Sequence, residues 1–108
     1  MKNCKTLTFI GFAIKARKVR SGVNAIKTLK GGVEVLILCS TASENTLNDA
    51  VKLSKKFNCQ LVISKAHKIE DIVQKEHCKL IAIQDKSLSK AILENLDDSF
   101  ELYSGGIT

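Results

Sequence analysis

Residues 17–27, RKVRSGVNAIK, concentrate side chains suited to holding an anion. Arg17, Lys18 and Arg20 bring positive charge. Ser21-Gly22 stands where a helix would begin, and Asn24 and Lys27 follow one turn apart on the same helical face. Backbone N–H groups at a helix start lack intrahelical acceptors and make a natural seat for phosphate. A glycine there lets another backbone approach closely. An asparagine amide offers both a donor and an acceptor to a base edge. With Lys30, these residues read as a module for contacting RNA; the plainer alternative is a capped helix with solvated lysines.

The charge distribution points the same way. The chain has 17 Lys and Arg against 11 Asp and Glu, a net charge of +6. Residues 1–33 carry eight basic side chains and no acid, residues 34–93 nine and seven, and residues 94–108 four acids and no base. A one-signed stretch sets up a field that attracts polyanions. Aromatic residues are 5% of the chain and none is Trp, too few for a base-stacking platform. A grip on nucleic acid would therefore be polar and electrostatic.

Signatures of catalysis and metal binding are missing. Cys4, Cys39, Cys59 and Cys78 are at least 19 positions apart, so no CxxC pair exists for zinc or dithiol chemistry. They read as small apolar filler. His77 and Cys78 are adjacent, a spacing that turns strand side chains to opposite faces. There is no GxGxxG, no GxxxxGK[ST] and no GxSxG. The paired carboxylates Glu70-Asp71 and Asp97-Asp98 read as solvated charges. The expectation is a non-enzyme with no cofactor and no metal.

Positioning these residues takes a framework, and the apolar pattern supplies one. The runs 33–39 (VEVLILC), 60–64 (QLVIS) and 79–83 (KLIAI) are apolar on both alternations, as in strands covered on both faces. A short strand is expected near 18–20. Helical spacing appears at 6–16, 22–30, 44–58, 68–75 and 86–96, with Ser43 and Asp85 as N-caps and Gly31-Gly32 as a stop. Strands and helices alternating with short connections predict a three-layer α/β/α sandwich around a mixed sheet of about four strands. At 108 residues the chain forms a single domain, with its core in 5–96. Residues 97–108 read as an acidic tail or an added edge strand. The longest apolar run, 35–39, falls far short of the ~20 residues that span a bilayer. No signal core follows the N-terminus, and the chain is expected to be cytoplasmic and monomeric.

The runs Phe9-Ile10-Gly11-Phe12-Ala13 and Ala16-Arg17-Lys18-Val19, then Ser21-Gly22, resemble the start of bacterial YlxQ-type proteins. These belong to the archaeal-type ribosomal protein family that binds kink-turn RNA. Further matches are Val35-Leu36-Ile37-Leu38, Ala42-Ser43-Glu44-Asn45-Thr46, Ser64-Lys65-Ala66, Lys75-Glu76 and Leu80-Ile81-Ala82-Ile83-Gln84-Asp85, and the likeness covers roughly residues 7–96. The resemblance implies an α/β/α sandwich and binding of kink-turn or ribosomal RNA, with neither DNA nor membrane as partner. Carried over by position, it assigns RNA contact to Ser21, Gly22, Asn24 and Lys27. It also assigns a second loop, Lys65 through His67, Lys68 and Ile69, to pack against a flipped-out nucleotide. That is recognition by shape and loops. The chain differs from the family pattern at Ala25, where the signature has Glu, and at Glu70 and Gln74. Those positions, with the acidic tail, carry the alternative reading of a protein-interaction module on the same fold.

Overall fold

The computed structural model describes residues 5–103; Lys2, Cys4 and tail residues 104–108 lie outside the described residues. The elements are α1 (Lys5–Lys15), β1 (Val19–Ser21), α2 (Val23–Lys27), β2 (Val35–Cys39), α3 (Glu44–Phe57), β3 (Gln60–Ser64), α4 (Ile69–Val73), β4 (Leu80–Ile83), α5 (Lys86–Glu94) and β5 (Phe100–Leu102). The strands form one mixed sheet in the order β1-β4-β2-β3-β5. β2 and β3 run parallel, and the other neighbours pair antiparallel.

β2 shows why the chain folds in layers. All five of its residues are buried, and successive side chains point to opposite faces. Val35, Ile37 and Cys39 join Ile81, Ile83, Val62 and Phe100 beneath α1, α4 and α5, through Ile10, Ala13, Ile69 and Ile92. Leu36 and Leu38 join Leu61, Leu80 and Ala82 beneath α2 and α3, through Ile26, Ala50 and Leu53. Burial of each large aliphatic side chain contributes about 1.5–3 kcal/mol, so both helix layers are needed to cover the sheet. Thr6 Oγ1 donates to the Asn95 carbonyl at 2.9 Å and ties α1 to the end of α5.

The expected caps are in place. Ser43 accepts from the Thr46 N–H at 3.2 Å, and Asp85 accepts from the Leu88 N–H at 2.8 Å. Two helices are shorter than their periodicity predicts. α2 ends at Lys27, where the Thr28 and Leu29 N–H groups reach back three residues to Ala25 and Ile26, Thr28 Oγ1 also donates to Ala25 at 2.7 Å, and Lys56 Nζ donates to the Lys27 carbonyl at 3.1 Å. α4 stops at Val73 because Gln74 turns left-handed at φ 55° and Lys75 N–H reaches back to Glu70 at 3.2 Å. The sheet has a fifth strand: residues of the acidic tail pair with β3 as β5, with Phe100 buried against the α1–α5 face.

Candidate nucleic-acid interface

Strand register gathers the expected contact segments along one edge of the sheet. Ser21 pairs with Ile81, Leu38 with Leu80, and Cys39 with Ser64. The C-terminal ends of β1, β2 and β3 therefore lie beside the N-terminal end of β4. From this edge leave the turn into α2, the connection into α3 and residues 65–68 into α4, and residues 74–79 arrive there. β1 and β3 are three places apart, roughly 14 Å at strand spacing.

Gly22 sits at φ 91°, ψ 144°, a backbone region open to glycine. Its N–H donates to Leu80 at 2.8 Å, and its carbonyl accepts from Ile26 at 3.0 Å, so the turn is held to β4 and α2 at once. Gly22 supplies no side-chain cap. Ile26 is buried and fixes the rotation of α2, leaving Asn24 and Lys27 exposed and Ser21 half-buried. Lys27 Nζ lies 3.9 Å from Asp49 of α3, a loose surface pair of little energetic weight. Arg17, Lys18, Arg20 and Lys30 are all exposed. Arg17 and Lys18 precede β1 and so flank the opposite end of that strand from Gly22. β1 is three residues long, which keeps its two ends within roughly 10 Å.

The second loop is built differently from the expectation. Lys65 is exposed and 3.8 Å from Glu101 of β5. The His67 ring stacks on Phe100 with centroids 5.7 Å apart, and Ser64 Oγ donates to the His67 carbonyl. Lys68 is exposed and precedes α4. Ile69 is 0% exposed and packs in the core under α1. Its expected contact with an extruded nucleotide is thus corrected: the first residue of α4 turns into the core layer and anchors the loop from beneath.

Several interactions are invisible to sequence spacing. Glu70 Oε1 meets Lys79 Nζ at 2.8 Å, and Oε2 accepts the His77 N–H at 3.0 Å. The Lys79 hydrogen bond holds the Glu70 carboxyl below its ordinary value, and the same bond raises Lys79. Lys79 Nζ also donates to Thr41 Oγ1 at 2.9 Å, itself 3.0 Å from Cys39 Sγ. Burial pushes the Cys39 thiol up, but hydrogen bonds from Thr41 and the Ile69 backbone, with the Lys79 charge, outweigh it and the net shift is downward. Cys78 is raised by burial and lies against Ser21 and Gly22. It thereby joins the 74–79 segment to the turn before α2.

Beside β1, on the α1 and α4 side, a concavity of about 340 Å³ brings Arg17, Arg20 and Ser21 together with Lys75 and Gln84. Lys75 and Gln84 were not among the residues expected to bind. Lys75 lies 58 positions from Arg17, and no local spacing joins them.

No family model matches the chain, and no curated protein does. Among solved structures, a protein of unknown function from Bacillus halodurans is similar, with a TM-score of 0.69 and 20% identity over 85% of this chain and 96% of that one. Likeness at that identity is likeness of fold, and a fold by itself assigns no function. The chain is a mixed α/β protein that shares the architecture of that structure.

Proposed function

We propose that the chain is a non-enzymatic RNA-binding protein of the kink-turn-binding ribosomal family, working in the cytoplasm on ribosomal or other structured RNA. One observation carries this reading. Gly22 at φ 91° presents exposed Asn24 and Lys27 at the sheet edge from which residues 65–68 also emerge. In this reading Asn24 would meet a base edge and Lys27 a phosphate, with exposed Lys65 and Lys68 beside the second approach. Arg17, Lys18, Arg20 and Lys30 add positive field around them. Glu70, which would otherwise repel a nearby phosphate, is engaged by Lys79.

Equilibrium binding to a labelled kink-turn RNA and to a plain duplex of equal length tests the reading. A preference of about tenfold or more for the kink-turn, worth about 1.4 kcal/mol, is expected. Equal, weak and salt-sensitive binding to both would reject it. The alternative, a protein-interaction module, is favoured by Phe12 on α1 and Leu102 on β5, which are 51% and 45% exposed. A partner retained after ribonuclease treatment would support that alternative.

A further inference from the structure

We propose that the concavity beside β1 is a second binding site, for a nucleoside 5′-monophosphate unit, either free or at the 5′ end of an RNA. Its phosphate would rest between Arg17 and Lys75, and its base against Gln84 and the aliphatic wall.

Two cations from separate segments line this space, Arg17 after α1 and Lys75 after α4; Arg20 contributes the β1 edge, because its pairing with Ala82 turns its side chain toward the α2 face. No Asp or Glu lines it, and among the described residues neither cation has an ion-pair partner. Like charges gathered without a counter-charge repel one another, and a dianionic phosphate relieves that repulsion. Arginine suits the role because its planar fork can donate two parallel hydrogen bonds to phosphate oxygens.

Arg17 carries a second signal. It stands at φ 60° just beyond the end of α1, with its N–H on Ile14 at 3.0 Å and the Lys18 N–H on Ala13 at 2.9 Å. This is the left-handed closing turn of a helix, where glycine is the favoured residue and a side chain costs stability. An arginine in a glycine position sets a stability cost against a charge in the lining of the concavity.

The rest of the lining distinguishes a nucleotide from a bare anion. Ile14 of α1, Val73 of α4 and Val19 of β1 line it and pack on the same core layer. They offer aliphatic surface to a planar base. The half-buried Gln84 side chain makes no hydrogen bond among the described residues, so its amide is available as donor and acceptor to a base edge. A volume of about 340 Å³ lies at the small end of ligand sites, about 300–1,000 Å³, and suits one nucleotide. The site opens on the face of the sheet opposite α2, and it borders the α2 interface at Arg17 and Ser21.

Titration of the isotopically labelled full-length chain with adenosine 5′-monophosphate, followed by amide NMR at constant ionic strength, tests the proposal. The amides of Arg17, Lys75 and Gln84 should move while those of Asn24 and Lys27 stay in place. Adenosine alone and inorganic phosphate alone should each bind about tenfold more weakly or worse. Arg17→Gly with Lys75→Gln should cost about tenfold or more in affinity, with a Tm at or above that of the parent because glycine fits the closing turn. A 5′-phosphorylated RNA hexamer binding this site more tightly than the monophosphate, and more tightly than its 5′-hydroxyl form, would assign the unit to an RNA end. The reverse order would assign it to a free nucleotide. Unmoved amides at millimolar monophosphate, equal binding of inorganic phosphate, or undiminished affinity in the double variant would each overturn the proposal. Kink-turn preference lost in Asn24→Ala with these shifts intact would show that this site stands apart from the interface.

Discussion

Glu70 and Lys79 meet at 2.8 Å and stitch the first turn of α4 to the segment entering β4. The other Glu70 oxygen takes the His77 N–H, and Lys79 reaches on to Thr41 after β2. Three connections at the sheet edge are thus tied by one ion pair with both side chains about a quarter to a third exposed. Charge-assisted hydrogen bonds of this kind hold a loop more firmly than neutral ones.

Glu70→Gln is expected to lower Tm by a few degrees and to speed hydrogen exchange at the His77 amide. Because the folded Glu70 value is depressed, the pair's contribution is complete above the ordinary carboxylate value of 4.5 and is lost as pH falls through the lower folded value. Denaturation followed across that acid range, parent against variant, checks this; parallel pH profiles would remove the pair from the account.

Gly22→Ala should destabilise the fold by about 1–3 kcal/mol through backbone strain alone. The cost is conformational: φ is 91°, and an added Cβ would meet nothing within 4 Å. Urea unfolding measures it, and a loss below a few tenths of a kcal/mol would show that the turn adapts.

Asn24→Ala and Arg20→Ala should separate specificity from attraction. The first should reduce discrimination between kinked and plain RNA with little change in salt dependence. The second should weaken binding to both RNAs and flatten the salt slope by about 1. Equal losses on both RNAs from both variants would argue against this division.

Ile69→Ala should cost about 2–5 kcal/mol, the range for emptying a large aliphatic site in a packed core, since Ile69 is fully buried. Ile69→Val should cost about 0.5–1.5 kcal/mol. If Ile69→Ala instead left stability unchanged and weakened RNA binding directly, the side chain would have to face the ligand rather than the core.

Cys59 predicts an alkaline loss of stability. Burial pushes its thiol from 9.0 up to about 11, with the Glu34 charge adding to the effect. The unfolded chain releases this proton first, so the contribution is complete below pH 9 and fades as pH rises toward 11. Unfolding midpoints in that window should fall more steeply for the parent than for Cys59→Ala; identical slopes would show that the thiol plays no part.

The amino-acid sequence by itself determined the layered α/β architecture, because that information is local. Runs such as VLILC and LIAI are apolar on both alternations, and strands that read this way need helices on both faces. Ser43 and Asp85 marked helix starts for the same local reason. The candidate interface was legible as far as residues 17–27, whose chemistry lies within one short stretch. The fates of single residues were not. Whether Phe100 and its neighbours formed a strand depended on β3 offering a free edge, and the direction of Ile69 depended on the layer beneath α1. Glu70 has its charge balanced only because Lys79 came to lie beside it, and Arg17 acquired Lys75 as a neighbour only when α1, β1 and α4 packed together. Periodicity records which face of an element is apolar, whereas the partners across that face follow from strand register and helix packing, which bring together residues far apart in the chain.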